Sequence, residues 1–341
     1  MSDEILAITL LWMFVFIYSV AASIDFGAGF WSMIYLKKPH LKATDIANRY
    51  LSPSWEVTNV FIVLIVVGLV TFFPTAAFKI GSALLIPGSL IILLLAIRSA
   101  FLVFSHTAYN KYKSLLYIIS GISGILIPAL LISILPITQG GFIDGSNGTE
   151  QLLFSELITS GSVYTFIGFG ITSTLFLSSL LLADYSNVAE ETKTYQIYRT
   201  KAIVIGPISL IMAFLILLTM REEANWLFEN MMSEKIWLLL SVITFIIGYI
   251  FLWIPGKKVK GQPRGAVLFV ILQYFIAGYA YGKAHLPYII YPDMTLRIGF
   301  TDPNTFRALF VVYIVGFIVL TPGFYVFWKM FLKDKRYLKH T

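Results

Sequence analysis

ILAITLLWMFVFIYSVAASIDFGAGFWSMIY, residues 5–35, is the stretch that decides the fold class of this chain. It is apolar along nearly its whole length and carries a single charged residue, Asp25. A helix that crosses the roughly 30 Å hydrocarbon core of a bilayer needs about 20 such residues. Lipid offers no partners to backbone polar groups, and the run does not alternate between apolar and polar residues. The stretch therefore predicts a membrane-spanning helix.

Similar apolar stretches recur along the 341-residue chain, which is 58% hydrophobic and 13% charged, with a mean hydropathy of +0.81. Soluble domains carry roughly 25% charged residues. The acidic start, Asp3 and Glu4, is unlike a cleaved signal peptide, so we expect the first span to be retained. We predict an all-α integral membrane protein, one polytopic domain over residues 1–341, with about nine spans at residues 5–35, 54–73, 79–104, 115–136, 161–184, 202–220, 236–254, 266–284 and 306–331.

The basic residues predict which side of the membrane each loop faces. Of the 25 Lys and Arg residues, 19 lie after odd-numbered spans, near the same end of span three, or in the C-terminal tail. The other six lie on the opposite face. Because basic residues concentrate on the cytoplasmic side, we expect the N-terminus outside and the C-terminus in the cytoplasm.

Composition also argues against several classes of site. The sequence has no cysteine, so it can form no disulfide and no thiolate-held zinc or iron–sulfur cluster. No recognition module accompanies the net charge of +7, so we expect no nucleic-acid partner. Membrane haem proteins usually place histidines inside spans. Here all four lie in loops, at a span end or in the tail, so we expect no cofactor, metal or catalytic site in this chain alone; they are His40, His106, His285 and His340.

Asp25 is an ionisable residue at membrane depth. Such a group costs at least ~2.5 kcal/mol at mid-bilayer unless it faces protein, water or a partner. Asp25 lies roughly 30 Å along span one, toward its cytoplasmic end. It is either a structural aspartate, hydrogen-bonded to another helix or hydrated near the surface, or a proton-carrying carboxyl. Small residues on its face favour close approach of a second helix, and they are Ala21, Ala22, Ala28 and Gly29.

Glu56 lies at a similar depth at the predicted start of span two. Ser52 and Pro53 predict the N-cap and first residue of that helix. Glu56 could therefore simply complement the positive helix terminus, with Arg49 as a partner. Alternatively, Asn59, one turn further on, adds a polar group to the same face, and a cytoplasmic proton entry is predicted from Asp25, Glu56 and Asn59.

Arg98, near the cytoplasmic end of span three, is the candidate charge partner of these acids. A pair with either carboxylate would offset the cost of placing a charge at membrane depth. Snorkelling of its guanidinium group to the interface is the other interpretation.

Four motifs resemble subunit II of the bacterial cytochrome bd quinol oxidases, and chain length, span number and basic tail agree. One motif lies within helix one and one opens helix two, and two supporting motifs lie around the outer end of helix eight and at the close of helix nine. They are Asp25-Phe26-Gly27-Ala28-Gly29; Ser52-Pro53-Ser54-Trp55-Glu56 through Asn59; Ala277-Gly278 with Pro287 and Met294-Thr295; and Phe327-Trp328-Lys329-Met330-Phe331.

The resemblance implies two four-helix bundles plus one peripheral helix, in a bacterial cytoplasmic membrane. It implies a partner, subunit I, that carries haems b and d and the quinol site, sometimes with a small single-helix subunit. The complex would oxidise quinol and reduce O2 to water with cytoplasmic protons. The family's proposed proton route includes the carboxyls matching Asp25 and Glu56. Many relatives have aspartate at position 56, and the Gly-Asp motif before Asp25 is shorter here.

Two other functions fit the same residues. In a stand-alone proton-coupled secondary transporter or channel, Asp25 and Glu56 would bind the substrate or coupling ion. However, no Gly/Pro-broken spans recur in matching positions of two halves, as is typical of such proteins. In a scaffolding membrane subunit, both acids would be structural.

Overall fold

A computed structural model describes residues 2–107, 110–145, 150–256, 260–327 and 329. Within these ranges, the side chains of residues 39, 50–57, 105–107, 110–111 and 327 lie outside the description. Glu56, Trp55 and His106 are therefore placed by their backbone alone.

The described chain is almost entirely helical. Its helices are α1 Asp3–Ile34, α2 Ala43–Phe72, α3 Pro74–Ala83, α4 Leu85–Thr107, α5 Asn110–Ile132, α6 Ile134–Thr138, α7 Phe154–Thr159, α8 Gly161–Val188, α9 Thr192–Glu223, α10 Asn225–Ser233, α11 Lys235–Ile250, α12 Pro263–His285, α13 Leu296–Gly299 and α14 Pro303–Phe327, with a 3-10 turn at Pro39–Leu41. Two antiparallel hairpins pair β1 Ile143–Asp144 with β2 Gln151–Leu152, and β3 Tyr288–Ile290 with β4 Met294–Thr295.

Seven helices of the described chain are long and apolar enough to cross a membrane. Two further pairs, each bent at a short break, bring the number to nine if each pair is one span. The all-helical membrane fold with about nine spans is thus confirmed. The predicted boundaries differ from the helices at three spans. Helices α2 and α9 begin at Ala43 and Thr192, well before the predicted starts at 54 and 202. The first residues of predicted span three, 79–83, belong to the separate short helix α3.

Two four-helix bundles account for eight of these helices. Helices α1, α2, α4 and α5 form bundle one, and α8, α9, α11 and α12 form bundle two. Helices α1 and α8 pack against each other and join the bundles. Among the described helices, α14 packs mainly against α1 and α2, and these contacts are sparse. It exposes large apolar side chains such as Ile318 and Val319. It is the peripheral ninth helix.

The two bundles share a helix break. The break after α2 lies at Phe73 (φ −133°, ψ 62°), and the break after α9 lies at Ala224 (φ −139°, ψ 58°). A short helix follows each break, and it ends at Leu84 (φ −91°, ψ 18°) or Glu234 (φ −94°, ψ 18°). The chain turns by 119° at the first break and by 75° at the second. Bundle two therefore repeats the architecture of bundle one about 150 residues later, a repeat that the sequence does not reveal.

Helix α2 begins well before the predicted start at Ser52 and Pro53. It starts at Ala43, and both residues lie within it. Tertiary contacts explain the difference, because the first turns bury Ala43, Ile46 and Ala47 in the largest core cluster. The Tyr198 hydroxyl also donates to the Ala43 carbonyl (2.7 Å). Glu56 therefore lies more than three turns inside the helix and does not complement its N-terminus.

We call the end of the bundles at which α1 begins the acidic end, and the end at which α1 stops the basic end. At the acidic end, Lys79 of α3 connects the two hairpins. Its Nζ atom lies 3.1 Å from Oε1 of Glu150 and 3.2 Å from Oδ2 of Asp293. The short surface elements are thus tied to the first helix break.

Candidate functional site

The segment around Asp25 lies where α1 meets three other helices. Asp25 is 3% exposed, and the small residues Ala22, Ala28 and Gly29 on its face are buried too. A Cβ atom on Gly27 would collide with the Ser178 side chain of α8, and one on Gly29 would lie 2.7 Å from a nitrogen of Arg98. Only glycine permits these two approaches. The expected helix interface around Asp25 is confirmed.

Arg98 of α4 forms an ion pair with Asp25. Its Nη2 atom lies 3.3 Å from Oδ2 of Asp25, and it also donates to the Asp25 backbone carbonyl (2.9 Å). Its Nη1 atom donates to the carbonyl (2.6 Å) and to Oγ (3.0 Å) of Ser120 on α5. The guanidinium also lies 5.2 Å from the centre of the Phe26 ring. Arg98 is 2% exposed and does not snorkel.

Two backbone carbonyl oxygens, those of Asp25 and Ser120, hold the Arg98 guanidinium group most tightly. Charge-assisted hydrogen bonds between nitrogen and carboxylate are typically about 2.7–2.9 Å long. The contact with the Asp25 carboxylate is longer than that, whereas the bonds to the two carbonyl oxygens are short. The guanidinium therefore stays in place through bonds that do not depend on the charge of Asp25.

Glu56 and Asn59 lie on α2, three residues apart and hence on one face of the helix. Asn59 is half-buried, and the Glu56 side chain lies outside the described residues. Counting from the basic end, Glu56 is about 20 Å along α2, and Asp25 is about 14 Å back from the end of α1. The two carboxyl-bearing positions therefore have comparable depth.

Two further polar groups near Asp25 escaped the sequence reasoning. Tyr18 lies seven residues before Asp25, on the same helix face, and is 5% exposed. Its hydroxyl makes no hydrogen bond within the described chain, and it lies within electrostatic range of Asp25 and Arg98. Ser123 of α5 is buried beside Ser120 and donates to the Ser120 carbonyl (3.1 Å). The spacing of Ser120 and Gly124, small residues four apart, is the signal that would have found this surface.

A second acid paired with an arginine was also missed. Asp184, near the end of α8, accepts from Nε (3.2 Å) and Nη2 (3.1 Å) of Arg264 at the start of α12. Its side chain is 21% exposed, far more than that of Asp25. This pair therefore lies nearer to water, at the basic end of bundle two.

His285 is the last residue of α12 and is largely buried, at 9% exposed. The rings of Trp226 and Tyr281 lie 5.4 and 5.7 Å from it. Neither ring nitrogen has a hydrogen-bond partner among the described residues. Across the ranges that the structure covers, no group of three or more metal-ligating side chains comes together.

The family model described as cytochrome bd terminal oxidase subunit II matches residues 4–331 of this chain. The chain belongs to this family. A Bacillus subtilis (strain 168) protein, provisionally named a cytochrome bd menaquinol oxidase subunit II, is 60% identical over 341 residues, 99% of this chain and 98% of that protein. A chain in the structure of bd oxidase from Geobacillus thermodenitrificans is 34% identical, with a TM-score of 0.81, over 98% of this chain and 100% of that one.

Membership of the subunit II family settles the general assignment. The chain is a multi-pass membrane protein and a subunit of a quinol oxidase, an oxidoreductase complex of the respiratory chain. A subunit II implies a complex with subunit I. The buried pair of Asp25 and Arg98 is then a charged site within a membrane oxidase subunit.

Proposed function

We propose that this subunit offers protons an entry into the oxidase from the cytoplasm through Asp25, Glu56 and Asn59, with Arg98 as the charge partner of Asp25. The observation that carries the proposal is the ion pair buried between α1 and α4. Ionisable side chains at membrane depth are expensive, and they commonly mark proton relays or substrate pathways.

The anchoring of Arg98 supports a carboxyl that can change its protonation state. Because backbone carbonyls hold the guanidinium, a proton could bind to Asp25 without releasing Arg98 into lipid. Tyr18 lies two turns before Asp25 on the same face of α1, and it continues the line of polar groups toward the acidic end. Asn59 and Glu56 on α2 supply polar groups on the way from the basic end.

We further propose that the chain itself holds no haem and that haems b and d lie in subunit I. Haem iron takes histidine, methionine, cysteine or tyrosine as axial ligands. In the described chain no histidine lies in the middle of a spanning helix, since His285 ends α12. Met212 packs against Gly168, and Met13 is 45% exposed. Quinol oxidation and reduction of O2 to water would then take place in the partner.

The complex has an orientation in the membrane, a subunit composition and an electron donor, and we propose each of them here. The charge partition supports an N-terminus outside and a C-terminus in the cytoplasm of a bacterial cell membrane. A small single-helix subunit is a further candidate partner. The Bacillus subtilis relative is named for menaquinol, and its 60% identity supports menaquinol as the electron donor here.

Family membership argues against the stand-alone transporter or channel. The scaffolding role, with Asp25 and Glu56 purely structural, is the alternative that an experiment must separate. Asp25→Asn keeps the shape and the hydrogen-bonding capacity of the side chain but removes the titratable proton.

The test is Asp25→Asn in the assembled oxidase, with O2 consumption measured across the pH range and haem content measured in parallel. We expect turnover to fall by roughly tenfold or more, since positioned proton-transfer groups contribute about 10²–10⁴-fold. Haem content should stay at the wild-type level. Glu56→Gln should slow turnover less, and Asp25→Glu should restore part of it.

Asp184→Asn is the matched control, because it removes the carboxylate of another aspartate–arginine pair at the basic end, one that lies nearer to water. We expect it to leave turnover unchanged. Wild-type turnover of Asp25→Asn at every pH would contradict the proton entry and favour the scaffolding role. Loss of haem in Asp25→Asn would show that Asp25 supports subunit packing instead.

A further inference from the structure

At the basic end of bundle two, two cations lie against one tryptophan ring. The Cζ atom of Arg199, on α9, lies 5.3 Å from the centre of a Trp253 ring. The Nζ atom of Lys260, just before α12, lies 5.5 Å from a Trp253 ring centre. Trp253 follows the end of α11 and is 46% exposed. We call these three residues the tryptophan–cation site.

Among the described residues, neither cation of this site has an acidic partner in ion-pair range. Within the part of the chain that the structure covers, no carboxylate lies within 4.0 Å of Arg199 or Lys260. The nearby Arg264 is different, because Asp184 pairs with it at 3.1 Å. Two like charges are thus gathered at one exposed tryptophan with no carboxylate of the described chain in ion-pair range, an arrangement that favours an external anion.

The backbone around the site is fixed. Nε and Nη2 of Arg199 both donate to the Leu252 carbonyl, at 2.9 and 2.7 Å, and no described group accepts from its Nη1 atom. The Tyr195 hydroxyl donates to the Lys260 carbonyl (2.6 Å), while the Lys260 side chain stays exposed. Gly261 follows at φ +100°, and its added Cβ would lie 2.7 Å from the Tyr195 hydroxyl. Only glycine therefore fits this turn.

An exposed apolar stripe leads away from the site along α11. Its members recur three or four residues apart, so they share the helix face that ends at Trp253. Each is between 44% and 62% exposed: Leu239 62%, Ile243 44%, Ile246 48% and Ile250 48%. The stripe has the character of a surface that contacts acyl chains.

We propose that the tryptophan–cation site binds the phosphate group of an anionic phospholipid whose acyl chains lie along the α11 stripe. Guanidinium groups match the geometry of phosphate oxygens, and basic pockets between spanning helices bind anionic head groups. Tryptophan is enriched at the level of the head groups. The apolar stripe makes a phospholipid a better occupant than free phosphate, which would use the two cations alone.

The test uses the purified oxidase complex in a neutral detergent. Phosphatidylglycerol and phosphatidylcholine with identical acyl chains are titrated separately, and bound lipids are counted by native mass spectrometry. We expect the complex to retain phosphatidylglycerol in preference to phosphatidylcholine. Lys260→Gln should weaken this retention by about fivefold, as expected for the loss of one cation near a membrane surface.

Lys193→Gln is the matched control. It removes an exposed lysine near the start of α9, the end of the helix that also carries Arg199, and among the described residues this lysine makes no cation–π contact with Trp253. It should retain the lipid as the wild type does. Equal losses in both variants, or equal binding of the two lipids, would overturn the proposal. Inorganic phosphate is the third arm, and displacement of the lipid by phosphate at equal concentration would show an anion site without lipid recognition and so also overturn it.

Discussion

At the scale of single residues, the molecule's most consequential feature is a pair of opposite charges at membrane depth. Asp25 and Arg98 are both almost fully buried, and Arg98 joins α1, α4 and α5 through its bonds to Asp25 and Ser120. Breaking a buried ion pair by removing one partner typically costs about 3–5 kcal/mol, because the other charge remains buried and uncompensated. Replacing both partners removes that penalty.

We therefore predict that Arg98→Gln lowers the yield and the melting temperature of the assembled oxidase, with a loss of roughly 3–5 kcal/mol in stability. The double variant Arg98→Gln with Asp25→Asn should recover much of that loss, because no lone charge remains. Thermal unfolding of the purified complexes measures both effects. A double variant as unstable as Arg98→Gln alone would show that the packing of the arginine, and not its charge, is what matters.

At the scale of helices, the crossing of α1 and α8 joins the two bundles. Gly27 faces Ser178 there, and a Cβ atom at Gly27 would also lie 2.9 Å from the Thr174 carbonyl oxygen. Gly27 and Ser178 are 151 positions apart in the sequence, as are the matching helix breaks at Phe73 and Ala224. Equivalent positions of the two bundles thus meet at their junction, as expected around an approximate two-fold axis.

Substitution of Gly27 should therefore separate the bundles locally. We predict that Gly27→Val destabilises the complex by about 1–3 kcal/mol, the usual cost of overpacking a close contact. Gly316→Val in α14 is the control, since among the described residues no atom outside its own stretch of helix lies within 4 Å of its added Cβ. Yield and melting temperature of the two variants provide the comparison, and equal behaviour would contradict the close crossing.

At the scale of the whole molecule, the proposed direction of insertion rests on the distribution of charge. The 19-to-6 partition of basic residues supports the proposal that the basic end lies in the cytoplasm. The chain has no cysteine, so single cysteines can be introduced without background labelling. Ser2, Ser146, Lys258 and Thr341 are suitable positions.

We expect an impermeant thiol reagent to label cysteines at Ser2 and Ser146 in intact cells. Cysteines at Lys258 and Thr341 should react only after the cells are opened. Labelling of the latter two in intact cells, or protection of the former two, would reverse the proposed topology.

The proposal that subunit I holds the haems predicts that this chain on its own is colourless. Expressed without its partner, the chain should show no Soret band and no quinol oxidase activity, whereas the assembled complex should show both. Visible absorption spectra of the two preparations measure this, with protein amount as the control. A stoichiometric Soret band in the isolated subunit would contradict the assignment of the haems to subunit I.

The sequence by itself determined the membrane fold, the approximate number of spans and the unusual position of Asp25, because each depends on local apolar character along the chain. Its four motifs also indicated the family. Tertiary structure alone decided that Arg98 pairs with Asp25 and does not snorkel, because Ser120 and the Asp25 carbonyl supply partners from distant segments. It likewise decided that α2 starts at Ala43, since burial against bundle two stabilises turns that local signals assign to a loop.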